Sequence, residues 1–364
     1  MKVLHVITGL AAGGAEVQLR LLLQHTRHDA DVVALYNAGS VAEQLRADGV
    51  RVTDLGMRSN TQVGAVLRLA RLVRRGRYDV VHTHLFRAGL YGRLAARLAR
   101  VPVVVATEHS LLDDQLEGRP ATRAVRTLYL AAERLGQRTV AVSAAVRDNL
   151  LRWGVAADRV VTVPNGLDVD ALAFDPAART AVRADLGIPA DAQVVGGVGR
   201  LHPGKRFDLL LDALAPTLGP HRHLLVVGEG EQREALTALA RDRGVAPWVH
   251  LPGERPVADH LSAMDVLASP SRYETFGLAV LEALANGLPV VYRRCPALDE
   301  LGERVPGAHQ ATDDDLRPLV DEVLGRPAQP RLLPAELRRL DVRTVAARVD
   351  DVYESPSRGR RRGR

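Results

Sequence analysis

The chain has 364 residues, 46% of them hydrophobic but only 4% aromatic, and a formal net charge of +6. That length exceeds what one hydrophobic core usually supports, so two domains are expected. A single cysteine, Cys295, excludes an internal disulfide and a cysteine-built metal site.

No stretch reaches the roughly 18 uncharged apolar residues of a membrane span. The opening MKVLHVITGL lacks the length and cleavage site of a secretory signal, so the expectation is a cytoplasmic protein. Charge is unevenly spread. Residues 1–172 hold 23 Lys+Arg against 16 Asp+Glu, residues 173–354 hold 21 against 27, and the last ten residues, SPSRGRRRGR, add 5 arginines.

Short β-rich apolar runs alternate with amphipathic stretches along the chain. In the first half the runs are Lys2 to Thr8, Asp31 to Tyr36, Val50 to Leu55, Val80 to Thr83, Val101 to Thr107, Thr139 to Ser143 and Val160 to Pro164. Helical patterns lie between them, as in Gly64 to Arg75 and Arg87 to Arg100. The rhythm breaks from Asp168 to Ala190, around Pro176 and Pro189, and this segment reads as an interdomain connection. It resumes with Gln193 to Val198, His223 to Val227, Val249 to Leu251, Val266 to Ser269 and Pro289 to Tyr292.

Such alternation signifies βαβ units and parallel sheets. The expected fold is α/β, with two Rossmann-like doubly wound domains facing across a cleft: residues 1–170, residues 171–354 and a basic disordered tail, 355–364. Ligands of open parallel sheets sit at the carboxyl ends of strands.

The run Gly199-Arg-Leu-His-Pro-Gly204-Lys205 satisfies part of a P-loop, but Arg206 stands where that motif needs a Ser or Thr for magnesium. Arg200 and Lys205 instead supply two cations beside a glycine turn, suited to a diphosphate. A P-loop and a plain glycine turn with surface cations both remain open from this run alone. About 70 residues on, PSRYETFGLAVLEALANGLPVV carries Glu274 and Glu282 with seven residues between them. Glu282 lies inside an otherwise apolar helix, where a carboxylate needs partners, and ligand hydroxyls are suitable ones. A solvent-facing Glu on an amphipathic helix is the bland account of either residue alone.

His82 and His84 alternate at a strand end without the spacing of a zinc pair. His109 follows a strand where ligand-facing side chains emerge, and His5 reads as structural. Arg68, Arg71 and Arg75 recur at helical spacing, as do Arg93, Arg97 and Arg100. Such faces suit either solvent or peripheral contact with anionic lipid at the inner membrane surface. With few aromatics and no binding motif, nucleic acid is not expected.

In order and spacing, Gly13-Gly14-Ala15-Glu16, His82-Thr-His84, Glu108-His109-Ser110, Asn165-Gly166, Gly199-Arg200 with Lys205, Gly228-Glu-Gly230 and the E-x7-E pair resemble glycosyltransferase family 4, retaining nucleotide-sugar enzymes of GT-B fold. The resemblance spans nearly the whole chain. It implies a glycosyltransferase moving a hexose-type sugar from a nucleotide diphosphate, a UDP-sugar in the first instance, to an unidentified acceptor. It implies no cofactor and no metal.

By the same resemblance Arg200 and Lys205 grip the donor diphosphate, with Gly199 beside them. Glu282 holds the ribose and Glu274 the sugar. The backbone of Phe276, Gly277 and Leu278 lies near sugar and phosphate, Gly253 and Arg255 lie near the base, His109 approaches the reacting sugar, and the loop of Gly13 and Gly14 closes over phosphate and acceptor. A catalytically silent nucleotide-sugar-binding subunit and a degenerate P-loop triphosphatase are the alternatives. Tyr292-Arg-Arg-Cys-Pro, where the family continues with a glycine-containing turn, leaves the sugar open.

Overall fold

The computed structural model describes residues 1–11, 13–59, 62, 64–112, 114–302, 304–327 and 329–355. The expected tail lies, apart from Ser355, outside the described residues.

Each half of the chain builds one parallel sheet. The first comprises β1 (Lys2–Ile7), β2 (Asp29–Ala34), β3 (Arg51–Asp54), β4 (Val80–His84), β5 (Val103–Glu108), β8 (Arg138–Ala141) and β9 (Val160–Thr162), in the order β3-β2-β1-β4-β5-β8-β9. Between β5 and β8 lies an antiparallel hairpin of β6 (Gln115–Leu116) and β7 (Arg119–Pro120). The second sheet comprises β10 (Gln193–Val198), β11 (Arg222–Val227), β12 (Val249–Gly253), β13 (Val266–Ser269), β14 (Val290–Tyr292) and β15 (Ala308–Gln310), in the order β12-β11-β10-β13-β14-β15. Short and half polar, β15 carries no apolar run, and the sequence does not announce it.

Successive side chains of these strands enter opposite cores, which is why the runs are apolar throughout rather than alternating. On β10 and β11, Val194, Leu225 and Val227 belong to one buried cluster, while Val195, Leu224 and Val226 belong to another. On β1, Leu4 and Val6 face one layer of helices, whereas Val3 and Ile7 face the other way. His5 shares that second face.

Both sheets reverse strand order beside their first strand, between β1 and β4 and between β10 and β13. Loops leaving the carboxyl ends there diverge to opposite faces and open a crevice. The second switch point is tightly built: a Cβ on Gly228 would lie 2.0 Å from the carbonyl oxygen of Gly199, and one on Gly230 would lie 2.4 Å from that of Leu201. Only glycine lets these loops touch.

The unit boundaries differ from the expected ones. Contacts divide the chain into Met1–Gly166 with Val342–Arg364, and Leu167–Asp341. The segment after Asp168 is part of the second unit, because the buried Arg183 of its helix (Pro176–Asp185) pairs with Asp265 at 2.8 Å and donates to the carbonyl of Ala263. The last helix (Val342–Glu354) returns to the first unit, where Val345, Ala346, Val349, Val352 and Tyr353 cover Val3, Val80, Val105 and Val140. A helical pattern reveals an apolar stripe but not which sheet it covers.

Candidate functional site

In the second unit the loop after β10 carries Gly199, Arg200 and Lys205, and the loop after β13 carries Glu274 to Gly277. Pro203–Lys205 forms a 3-10 turn, and the helix proper (Phe207–Leu214) begins only after Arg206, whose φ is 56°. Arg206 reaches Asp208 at 3.5 Å, so a cation occupies the position of a P-loop hydroxyl. Nζ of Lys205 lies 2.6 Å from Oε1 of Glu274, both partly buried. The buried hydroxyl of Ser271 lies 3.2 Å from the carbonyl oxygen of Gly204, joining the two loops a second time. Pro270-Ser271 is among the stretches that resemble the family, although the sequence alone assigned Ser271 no contact.

Glu282 projects from the helix Leu278–Ala285, whose Val280, Leu281, Ala283, Leu284 and Ala285 are buried. Its carboxylate has no hydrogen-bond or ion-pair partner among the described residues. Burial pushes its pKa up to about 7, against the pull of the Lys205 charge. Lys205, Glu274 and Glu282 are therefore gathered at one switch point. Arg200 is exposed, and its guanidinium has no partner among the described residues.

Phe276 is buried, and Gly277 takes φ 97° to start the helix at Leu278. A Cβ on Gly277 would meet Sγ of Cys295 at 2.5 Å. Cys295 donates to the carbonyl of Phe276 at 3.4 Å, and burial lifts its thiol to about 12. It is thus a packing group rather than a nucleophile. Gly253 ends β12 at φ 86°, beside the Glu229–Arg233 ion pair, and Arg255 is exposed just beyond. The acid run Asp313 to Asp315 serves structure: Asp314 pairs with Arg272 and Arg293, and Asp315 accepts from the amide of Arg317 at the start of the helix Arg317–Leu324.

In the first unit Gly13 is the extended N-cap of the helix Gly14–His25, which follows β1. His109 immediately follows β5 and is buried. Its Nε2 lies 3.2 Å from Nδ1 of His84, and Nε2 of His84 lies 3.0 Å from Nδ1 of His5. His82 is bound by the Tyr353 hydroxyl at Nδ1, 2.6 Å, and by Oγ1 of Thr107 at Nε2, 2.7 Å. Burial drives His5 down to about 3 and His109 to about 4, with His82 and His84 also well below the usual range, so all four are neutral. Spacing along one strand did not suggest a third metal-ligand candidate. Strand β1 supplies one, and nitrogens of His5, His82 and His84 lie within 4.8 Å of one another. The register Leu4↔Val81, His5↔His82 across two strands brings them together.

Of the two basic helices expected, one is basic on its surface. Arg68, Arg71 and Arg75 are exposed on the helix Gly64–Gly76, with Leu67 51% exposed beside them. The second is corrected: Arg93 is buried, donates to Oγ1 of Thr139 at 3.2 Å and stacks its guanidinium on Tyr129, so it is a core residue, while Arg97 and Arg100 are exposed. Among the described residues no helix is long and apolar enough to cross a membrane.

A family profile described as Glycosyltransferase Family 4 matches residues 12–171, and one described as Glycosyl transferases group 1 matches residues 192–324. The D-inositol 3-phosphate glycosyltransferase of Saccharomonospora viridis is 35% identical over 298 residues, 72% of this chain and 68% of the relative. That of Xylanimonas cellulosilytica is 32% identical over 97% of this chain and 94% of its own length. The match to that of Geodermatophilus obscurus spans 54% of the relative. Among solved structures, the Anabaena protein HepE in complex with UDP and glucose superposes with TM-score 0.85 at 22% identity, covering 98% of this chain and all of that one. The sucrose-phosphate synthase of Thermosynechococcus elongatus superposes with TM-score 0.77 at 20% identity, covering 97% and 98%. These likenesses establish the GT-B fold.

Proposed function

The chain belongs to the family 4, group 1 glycosyltransferases, and on that premise we propose that it moves a hexose from a UDP-sugar, with retention and without a metal, to a hydroxyl of a small anionic acceptor. One observation carries the donor half of this proposal: Lys205, Glu274 and Glu282 meet at the switch point of the second sheet.

Cleaving a sugar from a nucleoside diphosphate builds negative charge on the β-phosphate. A fixed cation lowers that barrier only insofar as it binds the departing charge better than the ground state. Lys205 is held in place by Glu274, so it is oriented before the donor arrives. Arg200, exposed on the same loop, swings in as the second cation. Glu282, with no protein partner to satisfy it, takes the ribose hydroxyls, and Glu274 takes hydroxyls of the sugar. Gly199, Gly277 and the N-terminus of the helix at Leu278 let backbone amides approach the phosphates. The roles of His109 at the reacting sugar and of Gly13-Gly14 at phosphate and acceptor rest on the family resemblance alone. Neutral, His109 donates or accepts one hydrogen bond without placing a charge beside the developing oxocarbenium.

For the acceptor, the relatives' name points to an inositol phosphate, and the basic excess of residues 1–172 suits an anion. The purified full chain is incubated with UDP- and GDP-sugars, with and without inositol phosphate, and products are followed by mass spectrometry. Slow release of UDP from one sugar nucleotide, accelerated by the acceptor and insensitive to chelator, is expected. Consumption of none of the donors, or magnesium-dependent cleavage of ATP or GTP instead, overturns the proposal.

A further inference from the structure

His109 does not stand alone: it ends a line of imidazoles contributed by β1, β4 and the first residue after β5. Nδ1 of His5 lies 3.0 Å from Nε2 of His84, and Nδ1 of His84 lies 3.2 Å from Nε2 of His109. His5 and His84 are 1% and 2% exposed, so solvent does not compete for these bonds.

A neutral imidazole has one N–H and one lone pair. His84 spends both nitrogens, one on each neighbour, and its two bonds must therefore run in the same direction. Either His5 donates to His84 and His84 donates to His109, which places the His109 proton on Nδ1, or every donor and acceptor is reversed and that proton sits on Nε2. No mixed arrangement keeps both bonds. The tautomer of His109 is thus coupled to His5, a residue it does not touch.

We propose that His84 and His5 are positioning residues that fix the tautomer and ring plane of His109. This rests on the assignment of His109 to the reacting sugar, where the tautomer and plane of the ring set what it can bond. Retention of these residues as ligands of a divalent cation is the competing use of the cluster. It is disfavoured because both nitrogens of His82 are engaged by Tyr353 and Thr107 and both of His84 by histidines, so a cation has to break bonds already made inside the protein.

The full chain labelled with ¹⁵N-histidine is examined by long-range ¹H–¹⁵N correlation at neutral pH, with His109 assigned from a His109→Gln spectrum. A single neutral tautomer of His109 is expected, giving way to an averaged pair in His84→Phe and in His5→Phe. Where either fails to fold, His84→Gln and His5→Asn, which keep a polar group of similar reach, serve instead. In the same variants kcat for transfer is expected to fall about 10- to 100-fold with KM for the donor unchanged, the scale of losing a hydrogen bond that orients a functional imidazole.

Folded His5 and His84 variants whose His109 tautomer matches the parent overturn the proposal. So does a shift of the His5, His82 and His84 resonances on adding one equivalent of zinc to the parent. If the parent transfers no sugar, the tautomer measurement still decides this coupling, so failure of the transferase assignment is distinguishable from failure of the relay.

Discussion

Nζ of Lys205 lies 2.6 Å from Oε1 of Glu274, and this contact bridges two loops that leave the adjacent strands β10 and β13. A lysine on a flexible stem loses rotamer freedom when it grips an anion. Glu274 has already taken that freedom from it. The pair is partly buried, so it is better screened from salt than a surface ion pair.

Replacing Lys205 with Ala is therefore expected to lower kcat by about 10²- to 10³-fold, as for removal of one preorganised donor at a developing anion. Lys205→Arg retains the charge but not the geometry and should fall between the two. Arg200→Ala, lacking an orienting partner, should lose less than Lys205→Ala. Steady-state transfer rates check the ranking, and equal rates in Lys205→Ala and the parent contradict it.

Glu282 shows the opposite bargain: a carboxylate left unsatisfied inside an apolar helix. Its pKa is raised from 4.5 to about 7. Below the lower value the group is neutral in both folded and unfolded chains and adds no pH-dependent cost, and the folded state loses stability as pH rises from there through about 7. Glu282→Gln removes the ionisation, so it should stabilise the protein by about 1–3 kcal/mol near pH 8 and by little near pH 4. The same variant should weaken UDP binding by about tenfold, since one charged hydrogen-bond acceptor is lost. Urea melts at the two pH values and calorimetry with UDP test both halves. A more stable protein that binds nucleotide less well is the mark of a group kept for function.

Much of this arrangement was legible from residue types alone. The apolar runs located nearly every strand because a parallel strand buried on both faces has no polar side to confuse the pattern. Lys205 and Glu282 stood out because a cation in a glycine loop and an acid in an apolar helix each violate local expectation. What stayed hidden depends on neighbours far away in sequence. Arg93 has the spacing of a surface arginine, yet Thr139 and Tyr129 surround it. His5 lay within an ordinary strand until β4 was placed beside β1. The last helix could not be assigned to a sheet, since its valines suit either core.

Gly277 and Cys295 form a lock-and-key contact at the start of the helix bearing Glu282. A side chain at Gly277 meets both an unfavourable φ of 97° and the Cys295 sulfur at 2.5 Å. Gly277→Ala should destabilise the second unit by about 2–4 kcal/mol through strain and overpacking together. Cys295→Ala by itself should cost less, and in the double variant it should return part of the loss by removing the sulfur while leaving the strain. A coupling of at least about 0.5 kcal/mol in urea denaturation is expected. Strict additivity would mean that the sulfur is not what excludes the side chain.

The chain leaves the first unit at Gly166 and re-enters it at Val342, so that unit is completed only by its final helix. There the hydroxyl of Tyr353 meets Nδ1 of His82 at 2.6 Å, both groups being buried. Tyr353→Phe keeps the ring that packs on Val3 and Val105 but strands one nitrogen of His82 without a partner. Leaving a buried polar atom unsatisfied costs about 1–3 kcal/mol. Because His82 and Tyr353 lie wholly in the first unit, the loss should appear only in that unit's unfolding. Hydrogen exchange followed by mass spectrometry separates the two units directly. Protection in β1, β4 and β5 should fall about 5- to 160-fold, the same energy expressed as an opening equilibrium, while β10 to β14 stay unchanged. Equal loss in both sheets would show that the two units unfold as one cooperative block.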